Sequence, residues 1–408
     1  MEKQLIQKAY YETLMSDESS EHPIRVLAEA YLVEQMKDMP DLTAIRFAQG
    51  EVYFHHKDFE SAIFKWSNLE NEFEPWAKKN TADAYYELGM LANAEDYYKS
   101  VTTDSTILNT EVSLQLFSLY IEKGDLEQAV RTIKHTINRN PDYPNVTELG
   151  RAFFEGEKDW NNAIELATNE AIRTKSIFWF DVLQSYGDKG LTRSFAPEYF
   201  SEALRMLHYL DRNRFEKLAS ALWDTYKNED TYFSWINMLN HILSETEVDR
   251  AYSWSSLSVR YHETFLELTN GNYLIEELKN TIPLLLENWF IITDSAQAAA
   301  AASALLAWGE IFPGSIRGGF MGEAENLVSS SRSNVDIMEG ALQLFETLVS
   351  WSKKQEDGVE NRLKWMIKQL TDFQTHHLIV TGMSGTGKST FVNFALGEEM
   401  FNGTPTTT

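Results

Sequence analysis

Four alanines, Ala62, Ala94, Ala129 and Ala163, stand 32, 35 and 34 residues apart, and the residues around them repeat in register. Nine positions before each comes an aromatic ring, Tyr53, Tyr85, Tyr120 or Phe154; four positions after each comes Trp66, Tyr98, Ile133 or Ala167. A recurrence of about 34 residues predicts stacked pairs of antiparallel helices, because each unit alone cannot bury its apolar face and a run of them can. The alanine belongs where the two helices of a pair approach most closely, since a larger side chain would force them apart. The rings fill the space between neighbouring pairs. Gly89 and Gly124 suit the turn inside a pair, and Pro141 prevents the preceding helix from continuing.

This stretch, about residues 40 to 172, resembles the tetratricopeptide family. The small residue usual early in the first helix is Gly50 in one repeat, with Ala82, Phe117 and Arg151 at the equivalent positions. The resemblance implies an α-solenoid over 1–172 and a concave surface that holds a peptide or a partner domain. Over 173–355 apolar residues keep three- and four-residue spacing without a fixed period, as in FSEALRMLHYL, FEKLASALW, LIEELKNTIPLLLENW and MEGALQLFETLVSW. A further helical array or bundle is expected there. Pro313, Gly314, Gly318, Gly319 and Gly322 mark the best candidate for a hinge.

Composition narrows the function classes. Apolar residues at 43% and aromatic residues at 13% exclude disorder for most of the chain. Only 20 glycines and 9 prolines are present, too few for a sandwich or barrel rich in tight turns. A formal charge of −25 has the wrong sign for a duplex-binding surface, so no nucleic acid partner is expected. Absence of cysteine removes disulfides, thiolate zinc sites and cysteine nucleophiles. The histidine pairs His55-His56 and His376-His377 lack metal-ligand spacing. The amino terminus lacks a signal peptide's apolar run, and the run from Ala296 to Trp308 is too short to span a bilayer. A cytoplasmic protein is expected.

The residues 356–408 carry a different chemistry. An amphipathic segment with Val359, Leu363, Met366, Ile367, Leu370 and Phe373 leads into HHLIVTGMSGTGKSTFVNFALGEEMFNGTPTTT. The apolar run from His377 to Thr381 suits a buried parallel strand. Gly382, Met383, Ser384, Gly385, Thr386, Gly387, Lys388, Ser389 and Thr390 then satisfy the phosphate-loop pattern G-x-x-x-x-G-K-[ST]. In such a loop successive backbone N–H groups turn toward one anion, Lys388 reaches the β- and γ-phosphates, and Ser389 offers its hydroxyl to Mg²⁺. The segment predicts the first strand, loop and helix of an incomplete α/β nucleotide-binding domain.

The residues after the loop, Asn393, Leu396, Gly397 and Glu398 followed by Thr404, Pro405, Thr406 and Thr407, resemble the bacterial dynamin-like large GTPases. That resemblance covers under an eighth of the chain. It implies GTP with Mg²⁺, Thr406 or else Thr407 as the switch threonine that binds Mg²⁺ and positions water, and Lys388 with Thr406 as the catalytic pair. It also implies self-assembly through the GTPase domain and peripheral membrane contact. Gly385 stands where that family usually has serine, and the loop alone equally fits ATP-using enzymes. The expectation is therefore a longer parent GTPase, cut after this switch, with these 408 residues not hydrolysing nucleotide by themselves. The alternatives are a repeat-regulated ATPase of signalling type and a non-enzymatic repeat scaffold.

Overall fold

A computed structural model describes residues 23–330, apart from 247, 249, 271, 274–277, 295 and 296, together with Phe391. Every regular element among the described residues is a helix; none is a strand. The strand, loop and helix expected over 377–397 lie outside the described residues, as does the amphipathic segment before them. The mainly helical reading holds for the part described.

The chain divides into two compact units, Met1–Leu166 and Ala167–Thr408. In the first, α1 (Pro23–Gln35) packs on α2 (Thr43–His55) through Leu27, Ala48 and Val52. Then come α3 (Phe59–Trp66), α4 (Glu74–Glu87), α5 (Leu91–Ser100), α6 (Thr106–Glu122), α7 (Leu126–Arg139), α8 (Val146–Gly156) and α9 (Trp160–Thr174), the last running across the division. α2 packs on α3, α4 on α5 and α6 on α7, so the period in the sequence is a period of helical hairpins.

One local device makes every hairpin turn. Five residues before each alanine the backbone is left-handed, at Lys57 (φ 61°), Gly89 (φ 72°), Gly124 (φ 72°) and Lys158 (φ 58°). The next amide then reaches back to the carbonyl of the repeated aromatic: Asp58 to Tyr53 and Met90 to Tyr85 at 2.9 Å, Asp125 to Tyr120 at 2.9 Å, Asp159 to Phe154 at 2.8 Å. This six-to-one bond closes the end of the first helix and satisfies a carbonyl that would otherwise lack a donor. The same residue starts the second helix. Asp58 accepts from the Ser61 amide at 3.1 Å, and Asp125 and Asp159 accept from Gln128 and Asn162, each at 3.2 Å. Met90 holds the equivalent position without such a cap.

Inside the hairpins Ala62, Ala94, Ala129 and Ala163 are fully buried. The Trp66 indole donates to the Phe47 carbonyl at 3.1 Å and lies flat against Gly50, where a Cβ would sit 2.3 Å from Nε1. The fourth repeat has Arg151 at that position; one residue earlier, Gly150 makes a different close approach, to Ile137 of α7 in the preceding hairpin, where a Cβ would sit 2.5 Å from Cδ1.

The second unit contains α10 (Ile177–Asp188), two 3-10 turns at Leu191–Ser194 and Pro197–Phe200, α11 (Ser201–Leu210), α12 (Arg212–Tyr226), α13 (Tyr232–Glu245), α14 (Ser255–Leu268), α15 (Ile282–Ile292), α16 (Ala298–Ile311) and α17 (Gly318–Ser330). Trp223, Trp235, Trp254, Trp289 and Trp308 form the bulk of its core. Two buried glutamates tie distant helices. Glu216 of α12 accepts from the Ser256 and Leu257 amides at 2.6 and 3.0 Å, capping α14 from outside, and Glu287 of α15 receives the Arg317 amide and guanidinium at 2.8 and 2.7 Å just before α17. The expected hinge is corrected here. Gly314 makes a left-handed turn, but Gly318, Gly319 and Gly322 are helical, and α17 packs along α16.

Candidate protein-binding surface

In a row of hairpins built in register, residues seven, eight, eleven, fourteen and fifteen before the alanine share one face of the first helix, by three- and four-residue spacing. On α4, α6 and α8 that face carries Lys79, Asp83, Tyr86 and Glu87; Leu114, Gln115, Ser118, Ile121 and Glu122; and Glu148, Leu149, Ala152 and Glu155. Two contacts hold the three helices side by side. Tyr86 bonds to the Glu122 carboxylate, which pushes its phenol up to about 12, with burial and the charges of Glu122 and Glu87 adding to the effect. The Phe117 and Phe153 rings meet edge to face at 5.0 Å.

The face opens as it advances along the chain. On α4 Asp83 is largely enclosed, accepting from the Tyr98 hydroxyl at 2.7 Å and pairing with Lys79 at 2.6 Å. On α6 and α8 the apolar side chains stand out, Ile121 at 42% and Leu149 at 41% exposed. Glu87, Glu122 and Glu148 are exposed, and among the described residues none of the three forms a salt bridge. Arg151 is paired with Glu155 at 3.1 Å.

A cleft of about 670 Å³ lies elsewhere in the same unit, bounded by α3 and the segment 67–70, by Glu74, Lys78 and Thr81 of α4, and by Tyr97 of α5. Lys78 and Glu74 pair at 2.6 Å along its wall. The charged groups of its lining are Glu70, Glu74 and Lys78.

Gly382, Met383, Ser384, Gly385, Thr386, Gly387, Lys388, Ser389, Thr390 and Thr406 lie outside the described residues, so their mutual geometry does not enter the site. Among the described residues no three His, Asp or Glu side chains are grouped to hold a metal ion, and no helix is long and apolar enough to cross a membrane. The repeat pattern did not single out Ile121, Leu149, Glu87, Glu122 or Glu148, because it marks the positions that are buried. The signal that could have found them is the complementary register, an apolar or acidic residue at the outward positions of successive repeats.

No family model matches the chain, and no curated protein matches it. Among solved structures the chain is similar to one titled "Structure of Naa15/Naa10 bound to HypK-THB", at 15% identity and a TM-score of 0.23, covering 91% of this chain and 72% of that one. A likeness that loose carries no argument about function. The resemblance to dynamin-like GTPases is corrected by these findings. No model of any such family matches, and the described residues are helical without a strand. The labels of GTP-binding phosphate-loop hydrolase and dynamin-like protein fall with it. The physical reason is scale: a short glycine-rich string and a Thr-Pro-Thr-Thr run specify local turns, not a domain.

Proposed function

We propose that the chain is a helical-repeat scaffold that holds a protein partner on the outward face of α4, α6 and α8. The observation that supports this reading is the pair Ile121, at the end of α6, and Leu149, in the first turn of α8, both exposed on a face whose other sides are built into hairpins. Ile121 stands eight residues before its alanine and Leu149 fourteen before its own, so the two neighbouring helices offer a partner two separate apolar footholds. Affinity capture with the full chain, followed by mass spectrometry, tests it. Proteins retained by the native chain should be lost when Ile121→Asp and Leu149→Asp are combined; unchanged recovery with this folded variant would refute the assignment of the face.

A second reading rests on the sequence motif alone. The backbone amides of Gly382 to Thr390 and the Lys388 ammonium would hold the phosphates of a nucleotide, GTP or ATP, with Ser389 on Mg²⁺. Fluorescent GTP and ATP analogues titrated into the native chain and Lys388→Ala separate this reading from the first. Equal binding by both proteins, or by neither, would remove it.

A further inference from the structure

The charge on the proposed face says what kind of partner fits it. From α4 to α8 the outward positions, with Glu111 at the start of α6, carry the acids Asp83, Glu87, Glu111, Glu122, Glu148 and Glu155, against one cation, Lys79, with Arg151 at the close-approach position of α8 as a second beside them. Both cations are spent internally, on Asp83 and Glu155. Glu111 is engaged by the Tyr143 hydroxyl, and that phenol, like Tyr86, is pushed up to about 12, first by the hydrogen bond to the carboxylate and then by burial. Glu122 accepts from Tyr86 and Glu148 from the Thr147 hydroxyl at 3.0 Å, but among the described residues neither carboxylate meets a cation; with Glu87 they leave three exposed charges without a counter-ion, and Glu122 and Glu148 adjoin Ile121 and Leu149 in the chain.

We propose that α4, α6 and α8 dock a basic amphipathic segment of a partner protein, its apolar side chains on Ile121 and Leu149 and its cations on Glu87, Glu122 and Glu148. The proposal rests on the scaffold reading above and adds the sign of the partner. Exposed carboxylates that self-repel are relieved by a cationic partner, and such complementarity discriminates against acidic and neutral segments. The face offers both apolar and acidic side chains, which suits a segment with both kinds of side chain and would be poorly used by a purely ionic ligand.

The test is fluorescence anisotropy with labelled peptides built of Leu-Lys-Lys-Leu, Leu-Glu-Glu-Leu and Leu-Ser-Ser-Leu repeats, added to the full chain. The lysine peptide should bind, weaken several-fold as salt is raised from about 50 to 300 mM, and weaken by about tenfold or more in Glu87→Lys with Glu122→Lys. Because the whole chain carries −25 charges, a second variant, Glu229→Lys with Asp230→Lys, reports bulk attraction and should leave the affinity within about twofold. Equal weakening by both variants, or equal binding of the serine peptide, would overturn the basic-segment proposal while leaving the scaffold reading to the capture experiment. Failure of all three peptides would also overturn it. Circular dichroism on both variants separates lost binding from lost fold.

Discussion

Gly50 and Trp66 show how one residue sets the spacing of two helices. The indole is 3% exposed and fixed by its bond to the Phe47 carbonyl, so it has no room to move away from a new methyl group. Gly50→Ala should therefore cost about 1–3 kcal/mol, the usual penalty for overpacking a rigid contact, measured by chemical denaturation; an unchanged midpoint would show that the indole gives way. The sequence made Gly50 visible, because it stands where the repeat expects a small residue. Gly150 was hidden, because its tight contact is with Ile137 of the preceding hairpin and Arg151 stands where the repeat expects the small residue. A pattern read at fixed offsets within a hairpin misses a contact made between hairpins. The phosphate-loop residues illustrate the opposite limit, a clear string whose surroundings are needed before a site can be built from it.

At the scale of helices, the hairpins were legible because their determinants are local. An aromatic carbonyl, a left-handed residue and a capping aspartate fall within six consecutive residues, as in Tyr53 to Asp58 and Tyr120 to Asp125. The second unit was legible only as helix, because its determinants are distant. Glu216 caps a helix some 40 residues later, and Glu287 receives Arg317 30 residues on. No periodicity announces a carboxylate buried for that purpose. Neighbouring hairpins of the first unit are also joined by charge. Glu95 of α5 meets Lys123, which ends α6, and Lys99 of its own helix, each at 2.5 Å, and these bonds pull its carboxyl down to about 2 despite opposing burial. A carboxyl depressed in the folded state adds stability that is complete above its unfolded value near 4.5 and is lost as pH falls toward 2. Because both lysines are more than a third exposed, the effect after solvent screening is about 1–2 kcal/mol. Between pH 5 and 3 the native chain should lose more stability than Glu95→Gln; parallel pH profiles for the two proteins would contradict that role.

For the molecule as a whole, the central claim is that the first unit presents a partner surface on α4, α6 and α8. Hydrophobic positions every 34 residues identified the hairpins, but the proposed surface lies on the positions that the hairpins leave over. Their use depends on neighbouring helices turning the same face outward. That arrangement is a property of the row: Glu87 and Glu122 gather around Tyr86, and Phe117 meets Phe153, only when consecutive first helices lie side by side. The partner's charge follows from the same row, since its two cations are already paired within it. The most direct test is hydrogen exchange of the full chain with and without a captured partner. Slowed exchange should map to α6 and α8 around Ser118, Ile121, Leu149 and Ala152, with the core of the second unit unchanged. Protection confined to residues after Leu166, or absent from α6 and α8, would contradict the account.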